Sequence, residues 1–155
     1  MYLSIHPNQF NIHYVMLSEK TKNNVMDNGD FFRLYYSDNL CNSNGLYIHF
    51  SLVNVTIEKY FNKIKCCFHE KDNHNTIQSL QNIEKQILSK LRIINKNYTY
   101  RIEEQLYNQY IKIFTDKMVN YGKTSKLDLV LKISGIWNDY NSCGVTFRFY
   151  LTNHR

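Results

Sequence analysis

The sequence predicts a mainly β protein, a small β-barrel with one helix, and three observations lead to this prediction. The strongest is a pair of long segments between residues 126 and 151 in which apolar and polar residues alternate. Shorter segments with the same two-residue period come earlier in the chain, and a single stretch has helical periodicity instead. Strands that surround one helix are typical of small barrels.

The two long segments form a predicted terminal hairpin, joined by a polar turn of Asn, Asp and Ser residues. Because side chains two apart along a strand share a face, one face of each strand is apolar enough to be core. The residues on that face are Leu127, Leu129, Leu131, Ile133, Val145, Phe147, Phe149 and Leu151. Two cations and an aromatic ring, Lys132, Arg148 and Tyr150, are expected on the opposite face.

The same alternation predicts the remaining strands. They lie at residues 31–37, 46–57, 60–68, 98–102 and 106–115, after an extended entry segment at residues 2–17. Asn44-Gly45 is typical of a tight hairpin turn and predicts one before residues 46–57.

One helix is predicted between residues 75 and 94, because apolar residues recur there at helical spacing. Its stripe consists of Ile77, Leu80, Ile83, Ile87, Leu88, Leu91 and Ile94. Asn75 or Thr76 is expected to cap the start of the helix, with Gln78 as the capping-box partner of Asn75.

Three strands, a helix and further strands follow one another in the order of an OB-fold. In that fold the helix closes one end of a five-stranded barrel, and the outer face binds single strands or oligosaccharides. We therefore predict an OB-fold-like five-stranded barrel with an extra N-terminal strand, formed by residues 1–155 as a single domain. An antiparallel sandwich or an open α+β sheet gives a similar order and stays as an alternative.

Net charge, the lengths of apolar runs and the cysteine pattern limit the class of protein to which this chain can belong. The 155 residues carry a formal net charge of +6, which weakly favours an anionic partner. No apolar run approaches the roughly 20 residues of a membrane span, and the N-terminal residues lack the pattern of a signal peptide. Four cysteines, two of them adjacent at Cys66 and Cys67, make a poor disulfide framework, so we expect reduced thiols in an intracellular protein.

Cations and aromatic residues recur together on the faces predicted to lie outside the barrel. Lysine and arginine neutralise phosphates, and flat rings stack on unpaired bases of any sequence. The candidate nucleic-acid-binding residues are Arg33, Tyr35, Tyr47, His49, Lys63, Lys65, Tyr110, Lys112, Lys132, Trp137, Arg148 and Tyr150. The alternative is that these tyrosines cover the exterior and the lysines keep the protein soluble, and Trp137 either stacks on a base or closes the end of the barrel.

The sequence lacks the common signatures of catalysis. Tyr121-Gly-Lys-Thr has no upstream glycine at the spacing of a phosphate-binding loop. Glu103 and Glu104 are adjacent carboxylates, and neighbours on a strand face opposite ways, which is poor geometry for paired acid–base catalysis. Cys66-Cys67-Phe-His69 matches no common zinc pattern. We predict no catalytic residues, no metal and no cofactor.

The segments Leu131-Lys-Ile-Ser-Gly-Ile-Trp137 and Cys143-Gly-Val-Thr-Phe-Arg-Phe149 carry a resemblance to a known family. They resemble the closing hairpin of single-stranded DNA-binding proteins encoded by yeast cytoplasmic linear (killer-type) plasmids and related large DNA viruses. The similarity covers roughly residues 127–151. It implies an OB-like barrel that coats single strands while a cytoplasmic DNA element replicates.

These observations together predict a non-catalytic, sequence-tolerant single-stranded DNA-binding protein. Single-stranded DNA is the expected partner, RNA stays open, a membrane is not expected, and self-association on DNA is an open question. The alternatives are a structural or assembly protein of a plasmid or virus, and a small enzyme that acts on nucleic acid.

Overall fold

The computed structural model describes residues 4–22, 29–92, 95–115 and 118–152. It is mainly β, as predicted. The described residues form ten strands: β1 (Val15–Leu17), β2 (Thr21–Lys22), β3 (Asp30–Ser37), β4 (Asn42–Asn44), β5 (Leu46–Tyr60), β6 (Lys63–Cys67), β7 (Asn97–Thr99), β8 (Tyr110–Phe114), β9 (Gly122–Asn138) and β10 (Ser142–Leu151). They also form two α-helices, α1 (Glu70–Ser89) and α2 (Arg101–Tyr107).

The long strand β9 organises the sheet. One edge of β9 pairs antiparallel with β5 and, nearer its end, with β3, while its other edge pairs antiparallel with β10. β6 and β8 continue the sheet beyond β5, again antiparallel. The short strand β7 pairs parallel with the start of β10. The sheet path that matters for the candidate site is therefore β10–β9–β5–β6–β8.

This path curls but does not close. The two end strands, β8 and β10, come within 8 Å of each other between Cα atoms, yet no strand pairing joins them within the described part of the chain. The prediction of a closed barrel is therefore wrong. The physical reason lies before β8, where the end of one predicted strand (residues 101–102) and the start of the next (residues 106–107) belong to α2, which leaves β8 only five residues long.

The core lies between the concave side of the sheet and α1. Leu129, Leu131 and Ile133 on β9 are fully buried, and Val145 and Phe149 on β10 are nearly so. Phe147 and Leu151 are half-buried and pack against the same cluster. The predicted inward face of the terminal hairpin is confirmed.

Helix α1 is confirmed, but its predicted start at Asn75 or Thr76 is wrong. The helix begins at Glu70, and the backbone of Asn73 departs from helical angles inside it. The buried Asn73 side chain accepts a hydrogen bond from the Val53 N–H (2.7 Å) and donates to the Val53 carbonyl (3.1 Å). This tertiary contact fixes the first turn against β5. Ile94, the last residue of the predicted stripe, lies outside the described residues.

Helix α2 corrects the prediction of a single helix. Ile102 and Leu106, one turn apart, are fully buried. The buried carboxylate of Glu84 on α1 accepts hydrogen bonds from the N–H groups of Ile102 (2.9 Å) and Glu103 (3.0 Å). These N–H groups belong to the first turn of α2 and have no partner within the helix. Burial raises the pKa of the Glu84 carboxyl, and the two N–H bonds act in the opposite direction.

The entry segment is also less extended than predicted. Two short 3₁₀ turns, Pro7–Gln9 and Ile12–Tyr14, precede β1. Of the predicted N-terminal strand, the described residues keep β1 and an isolated parallel bridge between Ile5 and Ile48, and residues 1–3 lie outside them. Within the described ranges, neither helix has the length and apolar character that crossing a membrane requires.

Candidate nucleic-acid interface

A groove of about 830 Å³ lies at the unclosed seam between β8 and β10, and we call it the seam groove. Within the described part of the chain, one carboxylate, that of Glu104, lines it. Its cationic lining consists of Lys63, Arg101, Lys112 and Arg148. Its aromatic lining consists of Tyr110, Phe114, Trp137, Phe147 and Phe149. Positive charge and flat rings therefore share one concave surface.

The alternation of β6 and β8 sets one wall of the seam groove. Ile111 and Ile113 are buried in the core, so the residues between and beside them point away from it. On this outward side each lysine ammonium lies over an aromatic ring, a favourable contact between a cation and the negative ring face. The pairs are Lys63 over Phe114 (4.3 Å to the ring centroid), Lys65 over Tyr110 (4.6 Å) and Lys112 over Tyr60 (4.2 Å).

Trp137 lies at the other side of the seam groove, near the end of β9. A Cβ atom at Gly144 would come within 2.8 Å of the indole and 2.9 Å of the Thr99 carbonyl, so only glycine lets the ring lie against β10. The guanidinium of Arg101 lies 5.6 Å from the indole centroid. The half-buried ring thus lines the seam groove beside a cation.

The turn between β9 and β10 keeps the Trp137 end of the hairpin in place. The Asp139 carboxylate accepts hydrogen bonds from the N–H groups of Asn141 (2.9 Å) and Ser142 (2.7 Å). These bonds hold the pKa of the Asp139 carboxyl below its usual value. The polar turn read from the sequence therefore has a defined, self-bonded geometry.

A second, smaller concavity of about 270 Å³ lies on the outward face of β5, β9 and β10, and we call it the outer hollow. Its lining consists of Ser4, Tyr47, Val130, Lys132 and Tyr150. The Lys132 ammonium lies 5.5 Å from the Tyr47 ring centroid. Tyr47 is nearly buried, whereas Tyr150 is 37% exposed.

The structure divides the predicted binding residues among these surfaces. Lys63, Tyr110, Lys112, Trp137 and Arg148 line the seam groove, and Tyr47, Lys132 and Tyr150 line the outer hollow. The others, Arg33, Tyr35, His49 and Lys65, line neither. Arg33 donates a hydrogen bond to the Asn44 side chain (3.3 Å), and the His49 ring is hydrogen-bonded to the Ser4 hydroxyl (3.0 Å).

Sequence reasoning missed Arg101, which lines the seam groove from the first position of α2. It falls in residues 98–102, which the alternation predicts as strand and to which it gives no binding face. The four-residue spacing of Ile102 and Leu106 was the available signal, since it is typical of a helix and would have placed Arg101 at a helix start.

The adjacent cysteines of β6 differ in burial. Cys66 is fully buried and Cys67 half-buried, which places them on opposite faces of β6. Burial raises the pKa of the Cys66 thiol to about 12, so it is uncharged at neutral pH. Across the described residues, no group of three or more His, Cys, Asp or Glu side chains is arranged to hold a metal ion.

Comparison with known proteins identifies no relative. No family model matches the chain, and no curated protein or solved structure matches it significantly. The likeness of the terminal hairpin to plasmid and viral single-stranded DNA-binding proteins therefore stays a prediction.

Proposed function

We propose that this protein binds single-stranded DNA through the seam groove, without sequence preference and without catalysis. The observation that carries the proposal is the lining of that groove, which among the described residues contains four cations, one carboxylate and five aromatic rings. Such a surface matches a polymer that has a negative backbone and flat, apolar bases.

The position of the rings favours single strands over duplexes. Trp137 and Tyr110 are half-buried in the walls of the groove, not displayed on a protruding surface. A ring in that position stacks on a base only if the base is unpaired and enters the groove. Duplex bases are already stacked and paired, so a duplex offers this surface its phosphates alone.

The fold is compatible with an OB-like assignment. The five-stranded path β10–β9–β5–β6–β8 curls, and α1 follows β6 in the chain. We propose an OB-like sheet whose barrel stays open at the binding groove. The role as a coat for single strands during replication of a cytoplasmic DNA element rests on the resemblance of residues 127–151.

The test is binding of fluorescent oligo-dT, duplex DNA and oligo-U measured by anisotropy across a salt series. For single strands the logarithm of affinity falls with the logarithm of salt by about 0.7 per neutralised phosphate. The four cations of the seam groove therefore predict a slope of about −3 for oligo-dT. Duplex DNA should bind more weakly at every salt concentration.

Equal affinity for single strands and duplex would contradict the proposal, and so would the absence of binding. The second result would favour the alternative that the tyrosine-rich surfaces bind protein. Cleavage or modification of the oligonucleotide during the titration would instead favour a small enzyme that acts on nucleic acid.

A further inference from the structure

The outer hollow adjoins the seam groove through one row of residues. Lys132 on β9 is the cross-strand partner of Arg148 on β10 and of Tyr47 on β5. Arg148 lines the seam groove, while Lys132 and Tyr47 line the outer hollow. Since neighbouring strands lie about 4.8 Å apart, this row is about 10 Å long between its outer backbone positions.

The lining of the outer hollow has its own chemical character. Tyr47 and Tyr150 provide two rings, and Val130 is the cross-strand partner of Tyr150. Lys132 supplies a positive charge at the side nearest Arg148. Two rings with an adjacent cation suit a flat base that carries a phosphate. The hollow has about a third of the volume of the seam groove, so it holds correspondingly fewer bases.

We propose that the outer hollow is a second base-binding subsite for the strand that occupies the seam groove. Arg148 and Lys132 contact the phosphates that connect the two. This inference rests on the proposed function, because it describes how the same single strand continues along the sheet.

The proposal predicts that affinity depends on oligonucleotide length in two stages. At the stacked rise of about 3.4 Å per nucleotide, the connecting row corresponds to about three nucleotides. An oligo-dT of about four nucleotides should therefore fill the seam groove alone, and one of about twelve should reach both sites, within the range usual for one OB-type module.

The experiment compares short and long oligo-dT with the wild-type chain and two variants of the outer hollow. Tyr150→Ala removes an exposed ring, and Val130→Glu places a carboxylate inside the hollow. Tyr150→Ala should weaken binding of the long oligonucleotide by at least about five-fold, the lower end for loss of one stacked base, and leave the short one unchanged. Val130→Glu should weaken binding of the long oligonucleotide by a larger factor than Tyr150→Ala does, because the carboxylate inside the hollow repels phosphates.

Tyr107→Ala is the matched control. Tyr107 is 79% exposed on α2 and lines neither the seam groove nor the outer hollow, so its loss should change neither length. Thermal melts confirm that the variants fold.

The possible failures are distinguishable. If the wild-type chain binds neither length, the proposed function fails. If it binds both, and Tyr150→Ala and Val130→Glu change neither or weaken both lengths equally, the second subsite is wrong while the proposed function stands.

Discussion

Two concavities of nearly equal volume lie on either side of α2. The seam groove measures about 830 Å³, and a hollow between α1 and α2, which we call the helix hollow, measures about 810 Å³. The helix hollow is lined by Glu70, His74, Ile77, Gln78, Gln81, Glu103, Leu106, Tyr107, Asn108 and Gln109. Among the residues that the structure describes, no lysine or arginine belongs to that lining. Volume alone therefore does not separate the two, whereas charge does.

The period of α2 produces this difference. Arg101, Glu104 and Gln105 face the seam groove, while Glu103 and Tyr107 face the helix hollow. Residues three and four apart share a face of a helix, so one short helix presents different chemistry on its two sides. Charge therefore favours the side of α2 beside Trp137 for the anionic partner that we propose.

The largest expected effect concerns the floor of the seam groove. Phe149 is almost fully buried and packs edge-to-face against Phe50 (6.0 Å between ring centroids) and Phe147 (5.7 Å). Phe149→Ala should lower the free energy of unfolding by about 3–5 kcal/mol, because it leaves a cavity in the core. Chemical denaturation measures the loss directly.

Arg148→Ala is the control for that prediction, since its exposed side chain lies between the two phenylalanines in sequence. It should cost little stability and weaken oligonucleotide binding. A stable Phe149→Ala variant that no longer binds would mean that Phe149 contacts the bases and is not part of the core.

A smaller effect separates ring from charge inside the seam groove. Tyr110→Ala should weaken oligo-dT binding by about 1–3 kcal/mol without changing the salt slope, because a stacking contact releases no counterions. Lys112→Ala should weaken binding at low salt and flatten the slope by about 0.7, because one phosphate contact to the single strand is lost. Anisotropy titrations at several salt concentrations give both quantities.

A charge change in the helix hollow sharpens the same comparison. Glu70→Gln changes the net charge by one unit, as Lys112→Ala does, but with the opposite sign. It should leave the affinity for oligo-dT and the salt slope nearly unchanged. Identical behaviour of the Tyr110 and Lys112 variants, or an equal response to Glu70→Gln, would contradict the assignment of the seam groove.

The smallest expected effect is a pH dependence at the contact that holds α2 in place. Burial raises the pKa of the Glu84 carboxyl, so the folded state holds its proton to higher pH than the unfolded state does. The unfolding free energy should therefore fall, relative to Glu84→Gln, as the pH rises from the ordinary glutamate value of about 4.3 through the raised pKa. The effect is small because the N–H bonds of Ile102 and Glu103 oppose that of burial. Denaturation curves of both proteins at several pH values test the sign, and a relative gain of wild-type stability over this range would contradict it.

The terminal hairpin was predictable because its two-residue period is long and uninterrupted. The alternation from Leu127 to Ile133 assigns core and surface without knowledge of the rest of the chain. Alternation also places Tyr47, Lys132 and Arg148 on outward faces, since each lies between inward-facing neighbours. Their alignment in one cross-strand row depends on the pairing of β9 with β5 and β10, which the sequence pattern does not give.

The parts that the sequence did not predict depend on contacts between distant residues. The seven residues of α2 are too few to form a stable helix alone, and Glu84 bonds its first turn from α1. The early start of α1 likewise depends on Asn73 bonding to Val53. The seam groove forms where α2 takes the place of predicted strand residues before β8. Local periodicity therefore does not predict where the groove lies.

The open seam gives the groove a second kind of lining, made of main chain. β8 pairs only with β6, and beyond Gly144 β10 pairs only with β9, within the described residues. Each of these strands therefore turns a row of peptide N–H and C=O groups without ladder partners toward the gap. Peptide groups are the same whatever side chain they carry, so no single substitution removes them. Variants that lack the cations and rings of the groove keep these N–H and C=O groups, which can still bond the phosphates and base edges of the proposed single strand. A multiply substituted groove should therefore bind much more weakly and yet retain some contact with the strand.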